Sequence, residues 1–214
     1  MTQKERMLAG LIYDPADPEI EQEQGVCLER LYDFNATRPF ELEKRQKLLK
    51  EMFGSIGRGC YIEPPFHANW GGKHCHFGEL VYANFNLTMV DDGNIYVGDK
   101  TMFGPNVCVA TANHPLDSEL REKMLQYNKD VHIGRCVWIG ANVVICPGVT
   151  IGDNSVIGGG SVVTKDIPAN VVAAGNPCKV LREIGEHERE FFYKDERIDW
   201  ENLNDLVPQF GHAK

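Results

Sequence analysis

The sequence predicts a mainly β protein, a parallel β-helix built from hexapeptide repeats, on three observations. Residues 133–168 divide without a gap into six hexapeptides, IGRCVW, IGANVV, ICPGVT, IGDNSV, IGGGSV and VTKDIP. Each opens on a β-branched aliphatic residue (Ile133, Ile139, Ile145, Ile151, Ile157, Val163), and Gly134, Gly140, Gly152 and Gly158 stand second in four of them. The fifth place holds only Val, Ser or Ile. A period of six fits neither a 3.6-residue helix nor a two-residue strand alternation, whereas three hexapeptides close one triangular coil. First-position aliphatics then stack inward, and each is worth roughly 1.5–3 kcal/mol when buried. Small second-position residues suit tight corners where a Cβ would crowd or φ is unusual.

The elements follow in chain order. Residues 1–54 read as a helical cap. Within it, ELEKRQKLLKEMFG (41–54) spaces Leu42, Leu48, Leu49, Met52 and Phe53 as an amphipathic helix that stops at Gly54. Asp14-Pro15 and Asp17-Pro18 break any earlier helix. Residues 55–177 carry the coils. The rhythm is weak from Ile56, irregular over 68–76, bent at Asp91-Asp92-Gly93-Asn94 and clear from Val97 to Cys108. Residues 114–130 break it with a polar stretch that reads as an extruded loop, and loops of this length are commonly functional. A solenoid needs covers at its ends, and the charged tail 178–214 reads as helix-compatible.

Composition narrows the classes. With 214 residues, 43% hydrophobic and 25% charged, the chain suits one globular domain with small appendages. A net charge of −9 argues against nucleic acid or an acidic membrane as partner, though not against an anionic ligand met by local cations. No apolar run approaches a membrane span, and the N-terminus lacks the layout of a secretory signal. The seven cysteines are scattered with no CxxC pair, which predicts free thiols in a reducing cytoplasm.

YANFNLTMVDD (82–92), Asn113-His114-Pro115 and WIGANVV…NPCKVLREI (138–184) together resemble the maltose and galactoside O-acetyltransferases of the hexapeptide acyltransferase superfamily. The resemblance extends to the AGxxYDP stretch at 9–15. It implies a left-handed β-helix, an exception to the usual right-handed crossover. It also implies acetyl-CoA as co-substrate with no metal, a sugar acceptor, direct transfer in a ternary complex, and a homotrimer with active sites between subunits.

Carried over residue by residue, the resemblance makes His114 the general base that takes the proton of an attacking hydroxyl, a task suited to imidazole. What orients its ring stays open between loop carboxylates (Asp117, Glu119, Glu122) and a backbone carbonyl. Ala141 matches the position whose backbone N–H stabilises the oxyanion. Gly159, with Gly160, Thr164 and Lys165 would follow the pantetheine arm, and Lys179 and Arg182 would meet the phosphates. Lysine at 179 stands where the family tends to have arginine and gives up the bidentate fork. Acceptor recognition falls to Asp14, Asn69, Tyr82, Asn84 and Asp92, with Trp138 flanking the cleft and Gln126 reaching from the loop. Asp92 also fits an ordinary turn, and Asn84 also fits a coil corner.

Other readings remain. His74-Cys75-His76 would place two histidines on one strand face, but too few ligands are in view for a closed metal site. A γ-carbonic anhydrase-type metalloprotein would use His114 and His132 and lacks a clear third histidine. A non-catalytic scaffold, or acetylation of a non-sugar hydroxyl such as an antibiotic's, completes the set.

Overall fold

The computed structural model describes residues 1–203; the last part of the predicted tail, 204–214, lies outside the described residues. Three helices open the chain: α1 (Gln3–Leu8), α2 (Pro18–Asn35) and α3 (Leu42–Met52). Thr2 and Glu5 form a capping box on α1, and Asp17 caps α2 with Pro18 in its first turn. The acidic Pro step that breaks the earlier chain therefore also starts the long helix.

From Ser55 to Ala174 the chain winds into a solenoid with three sheets as faces. The first face stacks Ser55–Ile56, Cys75–Phe77, Ile95–Val97, Val131–Ile133 and Thr150–Ile151. The second stacks Tyr61–Ile62, Tyr82–Ala83, Met102–Phe103, Trp138–Ile139, Val156–Ile157 and Val171–Ala174. The third stacks Phe66–Ala68, Leu87–Val90, Cys108–Ala110, Val144–Ile145 and Val162–Val163. All these pairs are parallel, one coil above the next, as a six-residue repeat dictates.

First- and fifth-position residues fill the interior: Ile133, Ile139, Ile145, Ile151, Ile157 and Val163 are buried together with Val137, Val143 and Val149. Toward the N-terminal end the core turns aromatic, with Phe53 edge-on to Phe77 at 5.0 Å and Phe77 stacked over Phe103 at 6.2 Å. Helices α2 and α3 lay Leu31, Phe34, Leu48, Leu49 and Met52 onto this end.

The two corner requirements separate in the structure. Second-position glycines answer crowding: a Cβ on Gly140 would fall 2.6 Å from the Gly159 nitrogen of the next coil. Left-handed backbone sits instead at the fourth position, at Cys136, Asn142, Gly148, Asn154 and Gly160. Asparagine tolerates that region better than most residues. Its side chains also link coils, Asn86 donating to Asn106 (3.0 Å) and Asn106 to Asn142 (3.1 Å).

The loop leaves at the corner between the third and first faces. Its base is zipped, Ala112–Asn113 pairing antiparallel with Tyr127–Asn128, and a short helix, α4 (Ser118–Glu122), forms inside it. The tail departs from its helix-compatible reading. Lys179–Glu183 is a strand antiparallel to Val171–Ala174, because an open sheet edge at the last coil offers it hydrogen bonds. Glu186–Glu190 and Trp200–Leu203 are short helices flanking the hairpin Phe191–Tyr193 with Glu196–Arg197. All seven cysteines are free thiols. Among the described residues, no helix is long and apolar enough to cross a membrane.

Candidate active site

His114 follows the strand Ala112–Asn113 at the mouth of the extruded loop, on the edge between the third and first faces. Its backbone N–H donates to Asn113 Oδ1 (2.8 Å), and its ring Nδ1 lies 2.8 Å from the carbonyl oxygen of Leu125 across the loop base. A carbonyl only accepts, so Nδ1 donates, and the neutral ring in this tautomer offers Nε2 as its acceptor. The carbonyl, and not a loop carboxylate, orients the ring. Asp117 is engaged as the N-cap of α4 through Leu120 N–H.

The same edge gathers four of the residues expected to bind the acceptor. Tyr13 and Gln126 exchange backbone hydrogen bonds at 2.9 and 3.0 Å, which ties the N-terminal cap to the loop and brings Asp14 beside it. Asp92 Oδ2 accepts from Asn69 Nδ2 (2.9 Å) and Asp92 Oδ1 from Gln126 Nε2 (3.1 Å). Each carboxylate oxygen keeps a further lone pair for a ligand hydroxyl. Asp14 spends one oxygen on Ala16 N–H (3.0 Å).

Sequence reasoning missed two residues that hold this cluster. Asn128, buried, donates from Nδ2 to the Asp92 carbonyl (2.9 Å) and lies 3.4 Å from the Tyr13 hydroxyl. Tyr13 receives Gln126 Nε2 on that hydroxyl (2.5 Å). Burial, with Asp92 nearby, pushes the Tyr13 hydroxyl well above the usual phenol range, so it stays a neutral partner. Their signal in the sequence was slight: Tyr13 adjoins Asp14, and Asn128 sits two residues past Gln126.

The remaining predicted residues lie elsewhere on the chain. Tyr82 and Trp138 stand on the outer side of the second face, Tyr82 stacked on Tyr61 with centroids 6.4 Å apart and Trp138 in register between Met102 and Val156. Burial raises the Tyr82 hydroxyl above its ordinary value. Asn84 begins the corner between the second and third faces and turns Oδ1 onto Phe85 N–H (2.8 Å).

Ala141 and Gly159 occupy that same corner in successive coils, the Ala141 carbonyl accepting from Gly160 N–H at 2.8 Å. The Ala141 N–H has no acceptor among the described residues. The column ends where Ala174 pairs with Lys179. Thr164 and Lys165 lie instead on the His114 edge, past Val162–Val163. Arg182 is paired with Glu188, while Lys179 is exposed without an ion pair among the described residues.

The histidines weighed for metal have other partners. His74, before its strand begins, is buried against Trp70 with Nδ1 on the Asp91 carbonyl, whereas His76 faces outward and stacks on Tyr96. They do not share a face, because the strand starts only at Cys75. His132 stacks on the other side of Tyr96, with centroids 4.8 Å apart. Among the described residues no group of three or more His, Cys, Asp or Glu is placed to hold a metal.

Coiled hexapeptides, a capped N-terminal end and a histidine at the mouth of an extruded loop define an acyltransferase of the hexapeptide-repeat class. Residues 6–57 match the maltose acetyltransferase hexapeptide capping motif, and residues 130–165 match six repeats of the bacterial transferase hexapeptide. The galactoside O-acetyltransferase of Lactococcus lactis is 52% identical over 88% of this chain and 91% of its own length. A galactoside acetyltransferase solved in complex with coenzyme A superposes with a TM-score of 0.90 at 45% identity, covering 93% of this chain and 99% of that one. A maltose O-acetyltransferase from Clostridium difficile gives 0.84 at 45% identity, covering 86% and 98%. The chain belongs to the maltose and galactoside O-acetyltransferase family.

Proposed function

We propose that the protein transfers acetyl from acetyl-CoA to a hydroxyl of a sugar of the maltose, glucose or galactoside type, by direct attack in a ternary complex. The observation that carries this reading is the His114 ring, held through Nδ1 on the Leu125 carbonyl so that Nε2 is the nitrogen free to meet a hydroxyl. His114 Nε2 takes the proton of the acceptor hydroxyl as it attacks, with Asp92, Asn69, Gln126 and Asp14 holding other hydroxyls of the ring. The Ala141 N–H donates to the thioester oxygen as charge builds there. The Ala141 position can supply only its backbone. The corner from Ala141 past Gly159 to Lys179 fits an extended arm with a phosphate end: it is open, backbone-lined and finishes on a cation.

One chain carries these groups on two different edges. His114, Thr164 and Lys165 flank one side of the third face; Ala141, Gly159, Asn84 and Trp138 lie on the other side. A second copy packed beside the first brings the missing edge to each His114, so the reading includes a homotrimer with three active sites between subunits. Free thiols in every cysteine suit a reducing compartment, and the proposed location is cytoplasmic.

The test is thiol release from acetyl-CoA with glucose, maltose, isopropyl-β-thiogalactoside, chloramphenicol, serine or water as acceptor. Sugar-dependent release is expected. Release with chloramphenicol alone would replace the sugar by another hydroxyl compound, and acetyl-CoA binding too weak to measure would sink the reading. Lys179→Ala should raise the KM for acetyl-CoA by roughly threefold or more at low salt, with the effect shrinking as salt screens it. Arg182→Ala should do less, because Glu188 already occupies its guanidinium.

A further inference from the structure

Asp91 and Asp92 adjoin in sequence and serve opposite sides. Asp92 reaches the Asn69–Gln126 cluster, while Asp91 is fully buried beneath the turn that carries Asn69. Asp91 Oδ1 accepts Trp70 N–H at 2.7 Å, Oδ2 accepts Gly72 N–H at 3.0 Å, and its main-chain carbonyl accepts His74 Nδ1 at 2.7 Å. Residues 70–74 are thus strapped to Asp91 at three points. This is where the hexapeptide rhythm lapses, and Gly71 and Gly72 are both left-handed (φ 61° and 95°). Asn69, whose Nδ2 fixes Asp92, is the residue just before the strap.

We propose that Asp91 is a positioning residue for the acceptor site: its carboxylate holds the 70–74 turn in the conformation that sets Asn69 against Asp92. The proposal rests on the reading of Asp92 as an acceptor-binding group. Burial, then repulsion from Asp92, pushes the Asp91 carboxyl up to about 6 against the pull of the Trp70 N–H. Apart from Asp92, the groups around it are His74, kept below its ordinary value by burial, and the Cys27 and Cys75 thiols, kept protonated by theirs. Lys73 on the same turn is engaged by Glu23. Protonation converts one accepting oxygen into a donor facing a backbone N–H, so the strap loosens as pH falls through about 6.

Stability has the opposite sign. A carboxyl whose value rises on folding binds more protons in the folded chain across about pH 4 to 6, so this group weakens folding as pH rises through that window. The ionised form is accounted for by position and not by stability, and a neutral isostere escapes the burial cost.

Asp91→Asn keeps the shape and replaces one acceptor by a donor. The sugar KM should rise roughly tenfold at pH 8, with kcat and the acetyl-CoA KM within about threefold, as for one lost hydrogen bond to a charged group. In the wild type the sugar KM should climb from pH 8 to 5; in the variant it should be flat. Amide hydrogen exchange of residues 70–74, corrected for intrinsic rate, should lose protection at low pH in the wild type and at both pH values in the variant. A variant with the wild-type sugar KM and profile overturns the proposal. If Asp91→Asn does not fold, a wild-type sugar KM and 70–74 protection that are flat from pH 8 to 5 overturn it alone. A wild type that acetylates no sugar sinks the acetyltransferase reading instead, and the exchange data still decide whether the strap exists.

Discussion

Replacing His114 by alanine should lower kcat by roughly 10²- to 10⁴-fold, the usual share of a positioned general base. The acetyl-CoA KM and the melting temperature should hardly move. His114 is exposed, and what the variant loses locally is one side-chain bond to the Leu125 carbonyl. The loop base keeps its antiparallel pairing between Asn113 and Tyr127, so the cluster around Asp92 stays in place. The loss should therefore fall on kcat, since the base acts on the proton only as the hydroxyl attacks. Steady-state kinetics at saturating acetyl-CoA, with the best sugar of the panel, make the measurement. A variant that turns over at the wild-type rate would remove His114 from the mechanism and leave its ring as an ordinary loop contact.

Phe103→Ala should cost about 3–5 kcal/mol of folding stability, the range for truncating a buried aromatic residue. Phe103 is fully buried, stacked under Phe77 at 6.2 Å, with coils above and below it. The neighbours that could collapse into the void are held in register by hydrogen bonds on two sides: Asn84 N–H donates to the Phe103 carbonyl and Gly104 N–H to the Ile139 carbonyl. A backbone fixed in this way relaxes little, which keeps the cavity open and the cost high. Natural domains hold only about 5–15 kcal/mol in total, so chemical denaturation should show a large fall in midpoint. A loss below 1 kcal/mol would mean that the aromatic end of the solenoid is loosely packed.

The solenoid was legible because its cause is local and repeated. Ile133, Ile139 and Ile145 declare a six-residue period, and each is buried by the same geometry one corner apart. His114, Asn69, Asp92 and Gln126 could also be named from the sequence, through motif match and the break in rhythm at the loop. Their mutual contacts could not. Asp92 meets Gln126 across 34 positions, and Tyr13 meets Asn128 across 115, separations that no spacing argument spans. The misreading of the tail has a similar origin. Lys179–Glu183 has a composition suited to a helix, but the last coil presents unpaired backbone groups, and satisfying a sheet edge outweighs intrinsic preference.

By itself, then, the sequence determined the coil: which residues point inward, where crowded corners need glycine, where the loop leaves, and the family the motifs resemble. Those properties are set by neighbours six or eighteen or so residues away, and a regular repeat writes them into the chain. The tertiary structure decided what the side chains do once the coils stack. It chose the Leu125 carbonyl over three carboxylates as the partner of His114. It turned one of two adjacent aspartates toward Asn69 and Gln126 and the other under the turn that carries Asn69. It also placed the His114 edge and the Ala141 edge on opposite sides of one face. These outcomes depend on the hydrogen-bond partners that burial leaves within reach, and that is fixed only when distant segments meet.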